Sequence, residues 1–425
     1  MSLGGLLTEL SIILSARDVR LLFATRFVRL FAYGALSVVL VFYLIEAGLS
    51  ELQTGILLTL TLLGDTIVSL AITANADRIG RRRMLIAGAA LMAGAGVVMA
   101  STTHFWVLLL AATAGVISPS GQEVGPFLPI EQAALSGLVS DRRRTEMFAW
   151  YTLAGAVATA TGALAAGLLT GAVFAALPQA VDRYRAVVLV YAALGIVLAL
   201  LFSRVSRDAE PLRETTEPSK AMVQTRGLGL ERSRPVVLRL SALFALDAFG
   251  GGFVTQSFAA YWFHLRFGIE PATLGPIFFW ANLLAGLSAL AAARLAARFG
   301  LVRTMVWTHL PSNVLLILVP LMPTLPLAVA VLLLRFSISQ MDVPTRQSYV
   351  MAVVPARERS AAAGVTGVAR TIGAAISPVF VGLCFARPAL ISVPFFLAGS
   401  LKILYDLVLY RQFVSVRPSE ESDSR

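Results

Sequence analysis

Long apolar runs recur along nearly the whole of this sequence, and they constrain its fold more than any other feature. Each run has roughly 20 residues, enough as a helix to cross the ~30 Å hydrocarbon core of a bilayer. Helices satisfy their backbone polar groups internally, so they are the expected form of a spanning segment. Hydrophobic residues make up 57% of the chain and charged residues 14%, against about one quarter charged in soluble domains. The sequence therefore predicts an all-α membrane protein.

Twelve spans are predicted, six on each side of a hydrophilic stretch. The first six are Leu22–Glu46, Leu52–Asn75, Met84–Ser101, Phe105–Val139, Met147–Phe174 and Ala186–Phe202. The second six are Val236–Phe263, Ala272–Ala296, Val302–Met322, Leu325–Val353, Ala361–Phe385 and Ile391–Leu409. We expect five parts: an N-terminal segment at 1–21, a six-helix bundle at 22–202, a linker at 203–235, a second six-helix bundle at 236–410, and a tail at 411–425.

The positive charge is distributed in a pattern that indicates orientation. The net charge is +11, and arginines cluster in the loops after predicted spans 2, 4, 8 and 10, while the opposite loops carry few. The positive-inside rule then puts the linker and both chain ends in the cytoplasm. We expect a multi-pass protein of the cell membrane, which in a bacterium is the inner membrane. Basic residues spread over short loops do not form a nucleic-acid-binding stripe, so no nucleic acid is expected as a partner.

The two halves show an internal repeat. Gly48 in the first half and Gly268 in the second lie in equivalent outer loops at an offset of 220 residues. At the same offset, the turn at 77–83 (Asp-Arg-Ile-Gly-Arg-Arg-Arg) matches the turn at 297–303 (Ala-Arg-Phe-Gly-Leu-Val-Arg). Duplicated helix bundles are common in transporters, so the fold is expected to consist of two pseudo-symmetric six-helix bundles.

The turn after span 2 resembles the major facilitator superfamily, whose signature there is Gly-x-x-x-Asp-Arg-x-Gly-Arg-Arg-Arg. Thr73 replaces the first glycine. The resemblance extends over the full length in span count, linker position and duplication, and it implies the twelve-helix fold of that superfamily. It also implies a conformational latch between the halves, formed by the matching residues Asp77, Arg78, Gly80, Arg82 and Arg83. The span-4 arginine and span-5 Gly-Pro-Gly-Gly signatures of proton-coupled drug exporters are absent.

Ionisable residues inside predicted spans are candidates for substrate or proton sites, because each costs several kcal/mol unless it faces a cavity or a partner. The alternative for each one is a structural ion pair, and Asp342 with Arg346, spaced i, i+4, can neutralise each other. Two glutamines near these charges join the candidates. The candidate set is Arg29, Gln122, Glu123, Glu131, Asp247, Gln256, Arg335, Asp342, Arg346 and Arg370.

Four of the charged positions suggest specific hypotheses. Arg26, near the cytoplasmic end of span 1, is interpreted as an interfacial anchor. Arg29 lies about one turn deeper and either pairs with an acid or meets a substrate. Glu131 and Arg346 occupy equivalent places in the two halves with opposite charge, which suggests an ion pair across the pseudo-twofold axis.

Two predicted spans contain residues that disfavour a regular helix. Ser118–Pro126 in span 4 holds two prolines and two glycines and is either a broken helix lining a central cavity, which we favour, or an outer loop. In span 7, Asp247 lies shortly before three consecutive glycines at 250–252, and this segment is either a gating helix or a kink stabilised by packing.

These features favour a secondary active transporter that alternates access around a central site. The interior arginines indicate an anionic or zwitterionic solute, and the carboxylates are candidate proton sites. Proton-coupled export of a metabolite, drug or toxicant by an antiporter is preferred over uptake of a small organic anion. A transport-dead receptor or scaffold is a further alternative, which the many intramembrane charges disfavour.

An enzyme is not expected. The chain has three scattered histidines and no Gly-x-x-x-x-Gly-Lys-Ser/Thr loop, so neither a metal site nor a nucleotide cofactor is predicted. The expected partners are a small solute, protons and the lipid bilayer, and the expected state is a monomer.

Overall fold

The structure is a computed structural model that describes residues 17–138, 141–206, 230, 233–355 and 358–414. All the regular secondary structure of these residues is helical. The first seven helices are α1 (Arg17–Glu46), α2 (Glu51–Ile79), α3 (Arg81–Ser101), α4 (Phe105–Ala114), α5 (Phe127–Leu138), α6 (Asp141–Leu168) and α7 (Ala180–Ser203). The next four are α8 (Arg234–Gly252), α9 (Gln256–Phe267), α10 (Pro271–Phe299) and α11 (Leu301–Leu318). The last four are α12 (Leu325–Phe336), α13 (Asp342–Val353), α14 (Arg359–Phe385) and α15 (Val393–Phe413).

The described helices supply twelve spans. Ten stretches are long and apolar enough to cross a membrane; one of them consists of α8 and α9 together, and another extends α6 by a π-helical turn at Leu169–Val173. The shorter apolar helices α4 and α12 are continued by α5 and α13, and each pair makes one further, interrupted span. The predicted twelve-helix, all-α membrane fold is confirmed.

Three of the spans are interrupted. Residues 115–126 between α4 and α5 are not helical, and Ile117 and Ser118 in this segment are buried. Of the two alternatives for span 4, the broken helix is therefore the one found. Residues 253–255 separate α8 from α9, directly after the three glycines at 250–252.

Span 10 differs from the sequence prediction. A continuous helix was expected over Leu325–Val353, but residues 337–341 separate α12 from α13. Pro344 is the third residue of α13, and Pro129 is the third residue of α5. A proline ring clashes with the carbonyl four residues earlier and has no N–H to donate, so a helix cannot run undisturbed through either position.

The described residues form two compact units. The first, called here the N-terminal unit, contains the described residues up to 206 together with Thr255–Leu283. The second, the C-terminal unit, contains residue 230, residues 233–254 and residues 284–414. The predicted segment at 1–16, most of the linker and the tail after 414 lie outside the described residues, and the predicted domain bounds stay a prediction.

Helix α1 is the centre of the N-terminal unit, since 83% of its apolar 18-residue stretch is buried. Glycines allow α6 to approach it closely: a Cβ at Gly162 would lie 2.8 Å from the carbonyl carbon of Phe31. On another face, α9 packs against α1, and Ser257 Oγ donates to the carbonyls of Ser37 and Pro119, each at 2.7 Å. The burial of α1 explains why charged side chains on it must find partners inside the protein.

The turns confirm the internal repeat. Gly80 and Gly300 connect consecutive helices with φ values of +116° and +84°, which favour glycine. The Gly80 N–H donates to the Ala76 carbonyl and the Gly300 N–H to the Ala296 carbonyl, both at 2.9 Å. Gly48 and Gly268, the other matched pair, also have positive φ. The duplication therefore extends to backbone conformation and hydrogen bonding.

Candidate functional site

An arginine on α1 is the centre of a buried charge cluster in the N-terminal unit. Arg29 has a fully buried side chain and binds Glu131 on α5 with two nitrogens, at 2.8 and 2.7 Å. Its Nε donates to Glu123 at 2.9 Å, and Arg26 Nη1 donates to the other oxygen of Glu123 at 3.1 Å. Bidentate, charge-assisted bonds of this kind are the strong ones in proteins. The two arginines and two glutamates, called here the N-terminal cluster, neutralise one another.

Glu131 is fixed in place by further contacts. Tyr151 on α6 donates its hydroxyl to Glu131, and Thr25 Oγ1 donates at 2.9 Å. The rings of Tyr151 and Phe127 also cover the guanidinium groups of Arg26 and Arg29, at 4.3 and 4.7 Å. The Glu131 side chain is fully buried, so this carboxylate has the surroundings of a structural ion pair.

Glu123 has a different environment from Glu131, although both belong to the same broken span. It lies on the non-helical segment between α4 and α5, and its side chain keeps 16% exposure. The two arginines are its hydrogen-bond partners. Non-helical backbone at membrane depth is tolerated where protein or a water-filled cavity surrounds it. Glu123 is thus the less buried acid of the cluster, and it lies on irregular backbone.

The non-helical segment is also tied to α2. Asp65, a buried residue of α2, accepts a hydrogen bond from the Gly125 N–H at 3.2 Å. On the opposite side, Thr159 Oγ1 donates to the Gly121 carbonyl at 3.2 Å. Both glycines have positive φ, so the segment bearing Glu123 has a defined conformation.

Asp247 on α8 is the centre of a second buried cluster, in the C-terminal unit. Its Oδ2 lies 2.9 Å from Arg346 Nη1 and 3.6 Å from Arg370 Nη1. Its Oδ1 lies 2.6 Å from Lys402 Nζ and 3.7 Å from His309 Nε2. Asp247 is only 3% exposed. One carboxylate therefore lies close to side chains from α11, α13, α14 and α15.

Two further aspartates complete this C-terminal cluster. Asp342 lies 3.2 Å from Arg346, so the predicted i, i+4 pair is present, with Asp247 as a second acidic partner of Arg346. Asp406 accepts from Asn313 at 3.0 Å and lies 2.8 Å from His309 Nδ1. All of these residues lie inside apolar spans.

One sequence hypothesis about these charges is wrong, and another stays a prediction. Arg26 is not an interfacial anchor, because its side chain is buried against Tyr151 and paired with Glu123. Glu131 and Arg346 are each paired inside their own unit, and the ion pair between them stays a prediction. The pair Arg29–Glu131 joins spans 1 and 4, and Asp247–Arg346 joins the equivalent spans 7 and 10 with the charges reversed. An ion pair functions in either polarity, so a repeat can invert it without loss of neutrality.

The remaining candidates lie outside the two clusters or at their edges. Gln256 on α9 donates to Ser37 Oγ and accepts from Asn282 Nδ2, both at 2.8 Å, in the N-terminal unit. Gln122 is exposed on the non-helical segment. Arg335 has its guanidinium 4.8 Å from the Phe336 ring, and its Nε has no hydrogen-bond partner among the described residues.

Sequence reasoning missed several residues of the clusters. Lys402 and Asp406 lie in predicted span 12 and His309 in span 9, so the rule that selected the other intramembrane charges also applies to them. Asn313 and Tyr151 give no comparable signal, because neutral polar and aromatic residues are frequent in spans.

The predicted latch is only partly described. Gly80 forms the turn, Arg78 and Arg83 are exposed, and Arg82 is half-buried. The side chain of Asp77 lies outside the described residues. The latch therefore stays a prediction.

Comparison with known proteins places this geometry in context. A family model described as Major Facilitator Superfamily matches residues 22–378. An uncharacterized membrane protein of Saccharomyces cerevisiae is 32% identical over 431 residues, and the match covers 95% of each protein.

Solved structures show the same fold at low sequence identity. The nucleoside transporter NupG has a TM-score of 0.73 and 12% identity, over 93% of this chain and 100% of that chain. A D-xylose–proton symporter has a TM-score of 0.72 and 14% identity, over 92% and 97% of the two chains.

Proposed function

Because the chain belongs to the Major Facilitator Superfamily, we propose that it is a secondary active transporter which couples protons to the movement of a small anionic or zwitterionic solute. It is a multi-pass membrane transporter; the solute, the coupling ion and the direction are the parts proposed. Two directions fit: proton-driven export of a metabolite, drug or toxicant, our first proposal, and uptake of a small organic anion. We place the arginine-rich turns on the cytoplasmic side of a cell membrane.

The observation that carries the proposal is the environment of Glu123. Its carboxylate is bound by Arg26 and Arg29, is partly exposed, and lies on non-helical backbone. A carboxylate or similar anion on a solute offers the arginines the same hydrogen-bonding geometry. We therefore propose that the solute displaces Glu123 from the two arginines, while Glu131 keeps Arg29 oriented.

Proton coupling is supported by the buried carboxylates in both clusters. Ionisable groups at membrane depth are costly and are characteristic of proton and substrate pathways. A structural neighbour described as a D-xylose–proton symporter shows that this fold accommodates proton coupling, and we propose it for this chain as well.

Transport in proteoliposomes tests the proposal. The purified protein is supplied with labelled organic anions, a zwitterionic amino acid, and uridine and D-xylose as neutral solutes, with a pH gradient of either sign. We expect an anion or zwitterion to be transported in response to the pH gradient, and we expect no transport of the neutral solutes. If no solute moves and none stabilises the protein, the proposal fails.

Variants of the N-terminal cluster test the displacement. Arg29→Ala is expected to abolish flux, whereas Glu123→Gln is expected to lower the apparent KM because a neutral amide competes less well for the arginines. Arg387→Ala, at an exposed position, serves as the control and should transport normally. Undiminished flux in Arg29→Ala together with an unchanged KM in Glu123→Gln would remove the proposed site.

A further inference from the structure

The two oxygens of Asp247 have different kinds of partner. Oδ2 faces Arg346 and Arg370, at 2.9 and 3.6 Å, and arginine does not release its proton in proteins. Oδ1 faces Lys402 and His309, at 2.6 and 3.7 Å, and both of these side chains can change charge when their surroundings change. One oxygen is thus held by fixed charge and the other by charge that a proton can alter.

The use of lysine in this chain points to the same position. Among 35 basic residues the sequence has only two lysines, Lys220 and Lys402. Lys220 lies outside the described residues, so Lys402 is the one lysine among them. The chain uses arginine for its other described cations, including those that hold Asp247 Oδ2. A lysine beside Asp247 Oδ1 is therefore unusual in a chain that otherwise uses arginine.

His309 lies between two aspartates. Its Nδ1 is 2.8 Å from Asp406 Oδ1, and its Nε2 faces Asp247 Oδ1. The second oxygen of Asp406 accepts from Asn313 at 3.0 Å. With an acid on each side, an imidazole that takes up a second proton can donate from both nitrogens. The charged and titratable groups around Asp247 and His309 come from four helices: Asp342 and Arg346 from α13, Arg370 from α14, Tyr405 and Lys402 from α15, and Arg335 from α12. Arg335 interacts electrostatically with Asp342.

Lys402 also contacts the point where α8 ends. A Cβ at Gly250 would lie 3.1 Å from Lys402 Cγ, and a Cβ at Gly251 would lie 3.6 Å from its Cε and Nζ. The lysine stem thus lies along the glycine run that precedes the break between α8 and α9. The Lys402 side chain is thus next to the end of this helix.

We infer that Asp247 Oδ1 is the site where the coupling proton acts, by exchanging Lys402 for a protonated His309. With neutral His309, Lys402 holds Oδ1. When the imidazole gains one proton, it donates to Asp406 and to Asp247, and the Lys402 ammonium leaves Oδ1 and the glycine run. The inference rests on the proposed function, because it assigns the proton of that transport cycle.

Nuclear magnetic resonance of the full chain in nanodiscs tests the exchange, since the protein has three histidines and two lysines. Histidine and lysine side chains are isotope-labelled, and His309→Gln and Lys402→Met assign their signals. We expect the His309 and Lys402 signals to shift together when the pH is changed, and the Lys402 shift to vanish in His309→Gln. His104→Gln should leave the Lys402 signal unchanged. A Lys402 signal that does not change with pH, or one that is unaffected by the His309 substitution, would overturn the inference.

Transport measurements distinguish a failure of this inference from a failure of the proposed function on which it rests. Using the solute that the wild type accumulates, His309→Gln should lose accumulation driven by a pH gradient and keep solute counterflow, which needs no net proton movement. A histidine with a purely structural role would affect both. Gradient-driven accumulation that is intact in wild type and in His309→Gln overturns the inference alone. No gradient-driven accumulation in wild type overturns the proposed coupling, and the proton assignment with it.

Discussion

Two glutamates of one broken span illustrate how surroundings determine the role of a residue. Glu131 is fully buried and accepts from Arg29, Tyr151 and Thr25, whereas Glu123 is partly exposed on non-helical backbone. Removing one partner of a buried ion pair costs about 3–5 kcal/mol, so Glu131→Gln should lower stability strongly. Glu123→Gln should cost about 1 kcal/mol, with exposed Glu46→Gln as a neutral control. Thermal unfolding of the purified variants checks the order, and equal losses for Glu131 and Glu123 would contradict it.

The sequence identified many of the charged residues but, apart from the local pair Asp342–Arg346, not their pairing. Apolar runs mark any charge inside them as unusual, and this selected Arg29, Glu131, Asp247 and Arg346. Partners such as Arg29 and Glu131 are 102 positions apart in the chain, and nothing in a single sequence states which distant charges meet. Lys402 lies inside predicted span 12 and satisfies the same rule, so its charge is visible in the sequence although its partner is not.

Among the helices, the interruptions were only partly predictable. The break in span 4 follows from a dense set of prolines, glycines and serines. The break in span 10 has Pro344 as its main signal, yet Pro276, Pro311 and Pro378 lie inside continuous helices. A proline therefore marks where a helix can break, and packing decides whether it does.

The crossing of α1 and α6 gives a prediction for these helices. A Cβ at Gly162 would lie 2.8 Å from the Phe31 carbonyl carbon and 3.0 Å from the Ala35 nitrogen, whereas a Cβ at Gly94 meets nothing within 4 Å. Gly162→Ala should push the helices apart and destabilise the protein by about 1–3 kcal/mol. Gly94→Ala, in the interior of α3, should be neutral or stabilising by about 0.5–1 kcal/mol. Thermal unfolding measures both, and a stable Gly162→Ala protein would contradict the close approach.

For the whole molecule, the repeat is preserved in the turns and inverted in the charges. The matched glycines at 80 and 300 make the same hydrogen bonds, because a tight connection between spans leaves few backbone conformations available. The ion pairs Arg29–Glu131 and Asp247–Arg346 lie on equivalent spans with opposite polarity. The half that contains Asp247 also has Lys402 and His309 beside that carboxylate, so the two clusters differ in composition as well as in polarity.

The topology of the whole chain is testable because Cys384 is its only cysteine. In a Cys384→Ser background, single cysteines replace the exposed residues Thr103, Thr324, Arg204 and Arg298. Twelve spans with arginine-rich turns inside predict that a membrane-impermeant maleimide added to intact cells labels positions 103 and 324, while positions 204 and 298 react only after the membrane is opened. The reverse pattern would invert the orientation. Labelling of one position from each pair would contradict the span count itself, because twelve spans put positions 103 and 324 on one side of the membrane and positions 204 and 298 on the other.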